Sequence, residues 1–359
     1  MATMSDVARA AGVSKQTVSR VFSGRGYVSA EARARVEQAA RVLGYVPNRV
    51  ASSLATGQTR TIGIVVPDIT SVYFAEMVMG AEHAARRAGY NSILGDASEV
   101  SAEEKDLLHF LYEARVDGVI VVSPRLEEDA LLPALAQHRA VVTINRPLPP
   151  QLAGDVHSDH AGGTALAVEH LARTGRRTVA YLAGPPRAFA AGERLRGFVQ
   201  GMKDAGLALR PDLILPYLAY VDESVRDQGE LLRSLQAGSP VWRDIHHTIG
   251  HLGALGLLSA HPEIDGLVCY DDGYAIGALR ACRELGRRVP DDVAIIGCND
   301  IPLVEHLSPA LTTQRVPCYQ MGVKAAEILL ERIDGRCPEP AIFAHELVIR
   351  ESAPALQVR

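Results

Sequence analysis

Cysteine is scarce and late in this chain. Five occur in 359 residues, at positions 269, 282, 298, 318 and 337, and no two are spaced C-x-x-C. That excludes a disulfide framework and a structural zinc finger. No apolar run reaches the length of a membrane span, and no secretory leader is recognisable, so a reduced, soluble, cytoplasmic protein is expected. The chain also lacks Gly-x-Ser-x-Gly, a phosphate-binding glycine loop and His-Glu-x-x-His, so no enzyme, cofactor or metal site is expected. His247 and His251 share a helical face but have no glutamate at the motif position, and His246 to His251 read as a packed or solvated helix. What charge there is falls unevenly. The net charge is −5, yet residues 1–60 hold nine Lys/Arg against three Asp/Glu, leaving 28 basic and 39 acidic residues for the rest. A basic head on an acidic body suits a protein that meets phosphate at one end only.

The head carries a specific pattern. Val7, Ala8 and Ala11, then Val18, Val21 and Phe22, repeat the i, i+3, i+4 spacing of two short amphipathic helices joined by Gly12-Val13-Ser14. Thr3 with Asp6 makes a capping-box-like start, and the Ser14 hydroxyl is placed to cap the second helix. A third helix is expected from Ala30 to Leu43, capped by Ser29, with Val36, Ala39, Ala40 and Leu43 facing inward. This is a helix-turn-helix whose second helix is suited to a DNA major groove. The candidate DNA-contacting residues of the head are Thr3, Ser14, Lys15, Gln16, Thr17, Ser19 and Arg20. Lysine and arginine reach guanine edges or phosphates, and glutamine can pair with adenine through two hydrogen bonds. Pro47 and Gly57 then bracket a segment too short to hold as a helix by itself.

From residue 61 onward short apolar strands alternate with amphipathic helices. Strands are expected at 62–67, 91–95, 118–122, 141–144, 178–183, 213–216, 266–270, 293–297 and 346–350. Helices are expected at 73–88, 102–114, 127–137, 160–174, 192–205, 223–237, 274–285 and 319–333. Apolar strands separated by helices indicate parallel sheets covered on both faces. Two such sheets in succession suggest two α/β lobes with a ligand cleft at the carboxyl ends of their strands.

The order of helix-turn-helix, Gly-Tyr-x-Pro-Asn-x-x-Ala-x-x-Leu from Gly44 to Leu54, then Thr-x-x-Ile-Gly from Thr59, resembles the lactose-repressor (LacI/GalR) family of bacterial transcription factors. The resemblance runs from residue 3 to 350 and thins over 216–262, the stretch that holds the single tryptophan, Trp242. It implies an all-α helix-turn-helix headpiece plus an α/β periplasmic-binding-protein-like core of two doubly wound parallel-sheet lobes. The implied divisions are a DNA-binding domain at 1–46, a hinge helix and linker at 47–60, a first lobe of 61–158 with 316–342, and a second of 159–315 with 343–359. The chain is expected to cross between lobes near 157–161, 313–317 and 342–346. Family hinge helices enter the minor groove in pairs, each inserting a leucine that kinks the duplex. The matching wedge is Leu54, with Asn48, Arg49, Ala51 and Ser52 around it.

The resemblance also points to effector-binding positions. Asp68 to Phe74 follow the first strand, with Ser71-Val72 where the family commonly has Asn-Pro. Tyr73 and Phe74 match an aromatic pair that stacks on ligand in some members, or they pack at the helix start. Ser123 either touches ligand or caps a turn. Asn145 stands where the family usually has Asp, which removes a charge. Arg194, in Arg-x-x-Gly-Phe, matches the family's effector-clamping arginine, and a guanidinium suits vicinal hydroxyls or a carboxylate. Phe189 is placed to stack over a ring. Asp271 stands where Asn is usual and Asn299 where Asp is usual, so the two are expected to bind effector hydroxyls together.

The expected function is a ligand-responsive, sequence-specific repressor acting as a homodimer on a palindromic operator in double-stranded DNA. Half-site logic and paired hinge helices require two copies, and no apolar heptad tail follows Arg350, so a dimer is expected over a tetramer. A sugar-like effector is favoured by the polar set, while a purine or small aromatic acid would suit the aromatic one. The other class, a sugar-binding protein or sugar-processing enzyme on the same core, is opposed by the DNA-binding head and by the lack of a catalytic constellation.

Overall fold

The structure is a computed structural model that describes residues 2–23, 26–46, 57–217 and 245–355. The hinge residues Asn48, Arg49, Ala51, Ser52 and Leu54, the expected helix at 223–237 and Trp242 lie outside the described residues. The chain divides into two compact units, Met1–Thr61 with Arg115–Asp117, and Ile62–Ala114 with Gly118–Arg359.

In the first unit, helix α1 (Met4–Ala11) opens on a complete capping box: Thr3 Oγ1 accepts from the Asp6 amide at 3.3 Å, and Asp6 Oδ2 accepts from the Thr3 amide at 3.0 Å. Gly12, at φ 63°, ends it in the left-handed conformation that glycine adopts without strain. Ser14 Oγ then accepts from the Thr17 amide at 3.1 Å, starting α2 (Lys15–Ser23) one turn later. Helix α3 (Ala30–Leu43) is capped by Ser29, whose Oγ accepts from the Ala32 amide at 3.2 Å. Val7, Ala8, Ala11, Val18, Val21, Val36, Ala39 and Ala40 form the shared core. Leu43 does not join it. It is 38% exposed, and Tyr45 instead closes that end of the core, its ring 5.7 Å from Phe22.

The second unit begins with β1 (Thr61–Val66), α4 (Val72–Arg87), β2 (Asn91–Asp96), α5 (Ser101–Glu113), β3 (Gly118–Val122), α6 (Glu128–Leu135), β4 (Val141–Ile144) and β5 (Gly154–Ser158). It continues with α7 (His160–Arg173), β6 (Val179–Leu182), α8 (Phe189–Asp204), β7 (Ile214–Leu215), α9 (Ile245–Ala260), β8 (Gly266–Cys269), α10 (Asp272–Glu284), β9 (Ala294–Asn299) and β10 (Thr312–Arg315). Helix α11 (Cys318–Ile333) and the short strands β11 (Ala341–Phe343) and β12 (Glu346–Val348) follow. One sheet has the order β11-β5-β4-β3-β1-β2 and the other β12-β10-β9-β8-β6-β7. The described pairings are parallel except β10 with β12, which is antiparallel, so the last expected strand runs against its sheet.

The chain leaves the first sheet after β5, returns after β10 when α11 packs against β3, β4 and β5, and leaves again between β11 and β12. The first core therefore joins Ile62, Ile64, Ile120 and Val142 to Met321, Ala325 and Leu329. The second sheet is covered on one face by Ile249, Leu257, Ala278 and Val304, and on the other by Val168, Leu171, Phe198 and Met202. Burying these apolar strands on both faces is what makes parallel pairing stable. Helices α9 and α10 approach through glycine: a Cβ on Gly250 would meet the backbone of Tyr274, and one on Gly277 the backbone of His247. That contact sets where α9 presents His246.

Candidate functional site

A cavity of about 680 Å³ opens in the second unit at the carboxyl ends of the parallel strands, where open α/β sheets hold ligands. Tyr73 and Phe74 come from the first turn of α4, Glu99 from the loop before α5, and Ser123 and Arg125 from beyond β3. Phe189 and Arg194 come from α8, His246 from α9, Tyr270 and Asp271 from the end of β8, and Asn299 from the end of β9. Several of these strand-end positions carry left-handed backbone at non-glycine residues: Glu99 (φ 57°), Ser123 (φ 45°) and Asn299 (φ 114°). Such strain concentrates at binding sites.

Seven of the eight expected effector residues, Tyr73, Phe74, Ser123, Phe189, Arg194, Asp271 and Asn299, line this one cavity. The eighth, Asn145, lies behind the wall. It is 1% exposed, its amide donates to the Tyr73 hydroxyl at 2.8 Å, and its oxygen faces His160 Nε2 at 3.2 Å. Ser71, at the altered start of α4, makes no side-chain cap.

Arginine 194 is 3% exposed. Its Nη1 donates to the Tyr270 carbonyl at 2.6 Å and its Nη2 to Asn299 Oδ1 at 3.2 Å, while its Cζ lies 4.8 Å from the Tyr270 ring centroid. Its Nε is buried without a partner among the described residues. Arg125 clasps Glu99 through Nε and Nη2, at 2.6 and 2.9 Å, and donates from Nη1 to the Ser123 carbonyl. Its guanidinium also sits 5.9 Å from the Phe74 ring centroid, beside the edge-on Tyr73–Phe74 pair. Asp271 caps α10, its Oδ1 accepting from the Tyr274 amide at 2.9 Å, and its Oδ2 lies 2.5 Å from His246 Nδ1. Burial disfavours both charges, but the pair overrides it: His246 is raised and Asp271 lowered from their ordinary values.

Glu99, Arg125, His246 and Tyr270 were not among the sequence candidates. Arg125 carries a faint signal, two residues beyond Ser123 at a strand end. His246 carries none, because its partner Asp271 is 25 residues away. His246 lies on a helix, packed against Tyr270 and Tyr274, and it also lines the cavity, whereas His251 turns to Glu284, 2.9 Å away. Among the described residues no group of three His, Cys, Asp or Glu is arranged to hold a metal, and no helix is long and apolar enough to cross a membrane.

In the head, Thr3, Ser14 and Thr17 are engaged in caps, Ser14 and Thr17 also meeting through their hydroxyls at 3.0 Å. Lys15, Gln16, Ser19 and Arg20 lie exposed on α2 while Val18 and Val21 are buried beneath them. A turn of this geometry with polar residues on the second helix is a DNA-reading unit.

A helix-turn-helix head together with a core of two parallel-stranded lobes that holds a cavity at the strand ends defines a class of regulator that reads DNA and carries a small-molecule pocket. Comparison with known proteins gives the family. Residues 3–48 match bacterial regulatory proteins of the lacI family, 59–241 match periplasmic binding proteins and sugar binding domains of that family, and 168–353 match a periplasmic binding protein-like domain. The chain is 32% identical to the HTH-type transcriptional repressor PurR of Vibrio vulnificus (strain CMCP6), over 98% of each chain. A solved complex of the transcriptional regulator CelR with cellobiose matches at 30% identity and TM-score 0.69, covering 98% of this chain and 100% of that one. The lac repressor dimer bound to operator and the anti-inducer ONPF matches at 26% identity and TM-score 0.81, over 99% of each. The chain belongs to the lacI family of bacterial regulatory proteins; it is a DNA-binding transcriptional regulator and not an enzyme.

Proposed function

We propose that this regulator is a cytoplasmic, nucleoid-associated repressor that binds a palindromic operator as a homodimer and is controlled by a small effector in the cavity. Lys15, Gln16, Ser19 and Arg20 read the major groove, with Thr3, Ser14 and Thr17 at the helix starts against the backbone. Asn48, Arg49, Ala51, Ser52 and Leu54 form the hinge that enters the minor groove. The working divisions are 1–46 for DNA binding, 47–60 for the hinge, 61–158 with 316–342 for one lobe and 159–315 with 343–359 for the other. The lac repressor dimer on its operator supports the dimeric arrangement.

The observation that carries the effector reading is the convergence of Arg194, Asn299, Asp271, Tyr73 and Phe74 on one cavity at the strand ends. Buried polar donors beside aromatic faces suit a ring bearing polar oxygens, and the cellobiose of the CelR complex supports a sugar-like ligand. A purine is the second reading, favoured by the Tyr73–Phe74 pair, with ring centroids 5.1 Å apart, and by the likeness to PurR.

The test is an operator selected from random duplexes, bound at several salt concentrations, followed by a thermal-shift screen of sugars, sugar acids, sugar phosphates and nucleobases. Operator affinity that falls steeply with salt is expected. A ligand found in the screen should change that affinity in the wild type, and an Asp271→Ala, Asn299→Ala double variant should respond weakly. Normal response by the double variant removes these residues from the site.

A further inference from the structure

Asp271 stands at a strand end beside the cavity, yet both of its oxygens are occupied. Oδ1 accepts from the Tyr274 amide and Oδ2 faces His246 Nδ1 at 2.5 Å. A carboxylate only accepts, so Nδ1 holds the proton between them. The ring nitrogen left over is Nε2, which has no hydrogen-bond partner among the described residues. His246 lines the cavity with 42% of its side chain open. Its ring is held in place by Tyr274 and Tyr270, at centroid distances of 5.4 and 6.3 Å.

Charge in the wall is unevenly matched. Glu99 neutralises Arg125, and Asp271 neutralises a protonated His246. Among the described residues Arg194, against the same Tyr270 ring, meets two neutral oxygens and leaves its buried Nε unpartnered. With Arg187 facing Glu127 at 3.9 Å, the described residues of the wall therefore leave one positive charge, that of Arg194, unmatched, and a buried guanidinium without an anion in contact is costly.

We propose that His246 is a specificity-determining residue of this cavity, offering Nε2–H alongside the Arg194 guanidinium to an acidic oxygen group, carboxylate or phosphate, on the ligand. The proposal rests on the reading of the cavity as the effector site. Asp271 is then a positioning residue that favours the imidazolium, with a proton on each ring nitrogen, and fixes its orientation. The groups facing His246 are Asp271 at the head of α10, Tyr270 at the end of β8, Tyr274 on α10, and, further off, Glu99 and Arg125. Asp271 dominates, so the imidazolium persists above the usual histidine range, and affinity for an acidic ligand falls as pH rises through that point. Neutral ligands do not follow this curve.

The experiment uses the full-length protein with labelled histidine and sulfate as probe, whose charge is constant across the range. The His246 ring resonance is assigned by its loss in His246→Gln. Sulfate, but not chloride at equal ionic strength, should shift that resonance and raise its titration midpoint. Its apparent affinity should weaken about tenfold between roughly pH 6 and roughly pH 8.5. Asp271→Asn should lower the midpoint and remove most of the sulfate effect. A His246 signal indifferent to sulfate, or equally responsive at both ends of the range, overturns the proposal. Parallel titrations with glucose, glucuronate and glucose 6-phosphate separate the sources: tighter glucuronate assigns a carboxylate, and tighter glucose 6-phosphate assigns a phosphate. Glucose bound as well as either, and unaffected by His246→Gln, overturns it. Sulfate that engages His246 while ligands of the cavity leave operator affinity unchanged counts instead against the cavity as control site.

Discussion

The Asn145 side-chain amide donates to the Tyr73 hydroxyl across 2.8 Å, and its oxygen faces His160 Nε2 at 3.2 Å, so one buried residue ties the cavity wall to the first crossover between the sheets. The chain of contacts goes on from His160 to Ser158 Oγ and from there to His345 Nε2 at 3.0 Å, which lies at the third crossover. Asn145 also has φ 57°, a conformation asparagine tolerates better than most residues.

Asn145→Ala should therefore strand the buried Tyr73 hydroxyl and His160 and force a Cβ-bearing residue without the local hydrogen bond into a left-handed site. A loss of about 1–3 kcal/mol is expected from the unsatisfied groups. Urea unfolding measures it, and an unchanged midpoint would show that water replaces the amide at no cost.

The buried histidines set an acid limit. Burial, with Arg194 adding, depresses His345 to about 3, and burial holds His160 well below its ordinary value. A base depressed on folding binds fewer protons folded than unfolded, so stability is complete above the unfolded value and drains away as pH falls towards the folded one. Each such group contributes up to about 1.4 kcal/mol per pH unit in that window. The urea midpoint should drop between about pH 7 and about pH 5, and the drop should be smaller in His345→Asn. Equal drops in the two proteins would remove His345 from the account.

Helices α4 and α11 should tolerate almost nothing at their crossing. A Cβ on Gly80 would meet the Tyr319 carbonyl and one on Gly322 the Met77 carbonyl, both backbone atoms that cannot swing aside. Gly322→Ala is expected to cost about 1–3 kcal/mol by overpacking, despite alanine's better helix propensity. Thermal denaturation decides it: a melting temperature at or above wild type would mean that the helices separate without penalty.

In the head, Gln16 and Lys15 should separate by role. Gln16→Ala is expected to reduce discrimination between the operator and single-base variants by about 1–3 kcal/mol at one position. Lys15→Ala should weaken binding to all sequences and lower the salt slope by about one. Fluorescence anisotropy over a panel of duplexes tests both, and uniform loss in Gln16→Ala would make it a backbone contact.

The parts of the fold that were legible are those whose signal is local. Thr3 with Asp6, Ser14, Ser29 and the runs Ile62–Val66 and Gly118–Val122 announce themselves by neighbours three or fewer residues away or by unbroken apolar character. Strands β5 and β10 were missed because Gly154-Asp155-Val156-His157-Ser158 and Thr312-Thr313-Gln314-Arg315 are largely polar, and only their sheet neighbours make them strands. Helix α9 was legible only around His246 to His251, and the glycines that serve its close packing against α10 hid its full extent. The site followed the same rule. Resemblance brought seven wall residues forward, but the His246–Asp271 and Arg125–Glu99 pairs span 25 and 26 residues, and only folding brings them together.

The placement of α11 has a consequence for synthesis. Val316, Met321, Ala325, Leu329 and Ile333 belong to the core built around Ile62, Ile64, Ile120 and Val142. A nascent chain that has released residues 61–158 thus holds a sheet whose covering helix is still more than 150 residues from being made. The first lobe, although its sheet is begun before the second, cannot close before α11, at Cys318–Ile333, is out. Its open face is then a surface for chaperones or for misassembly, and the second sheet waits as long, because β12 and the buried Ala353 that complete it are made after α11.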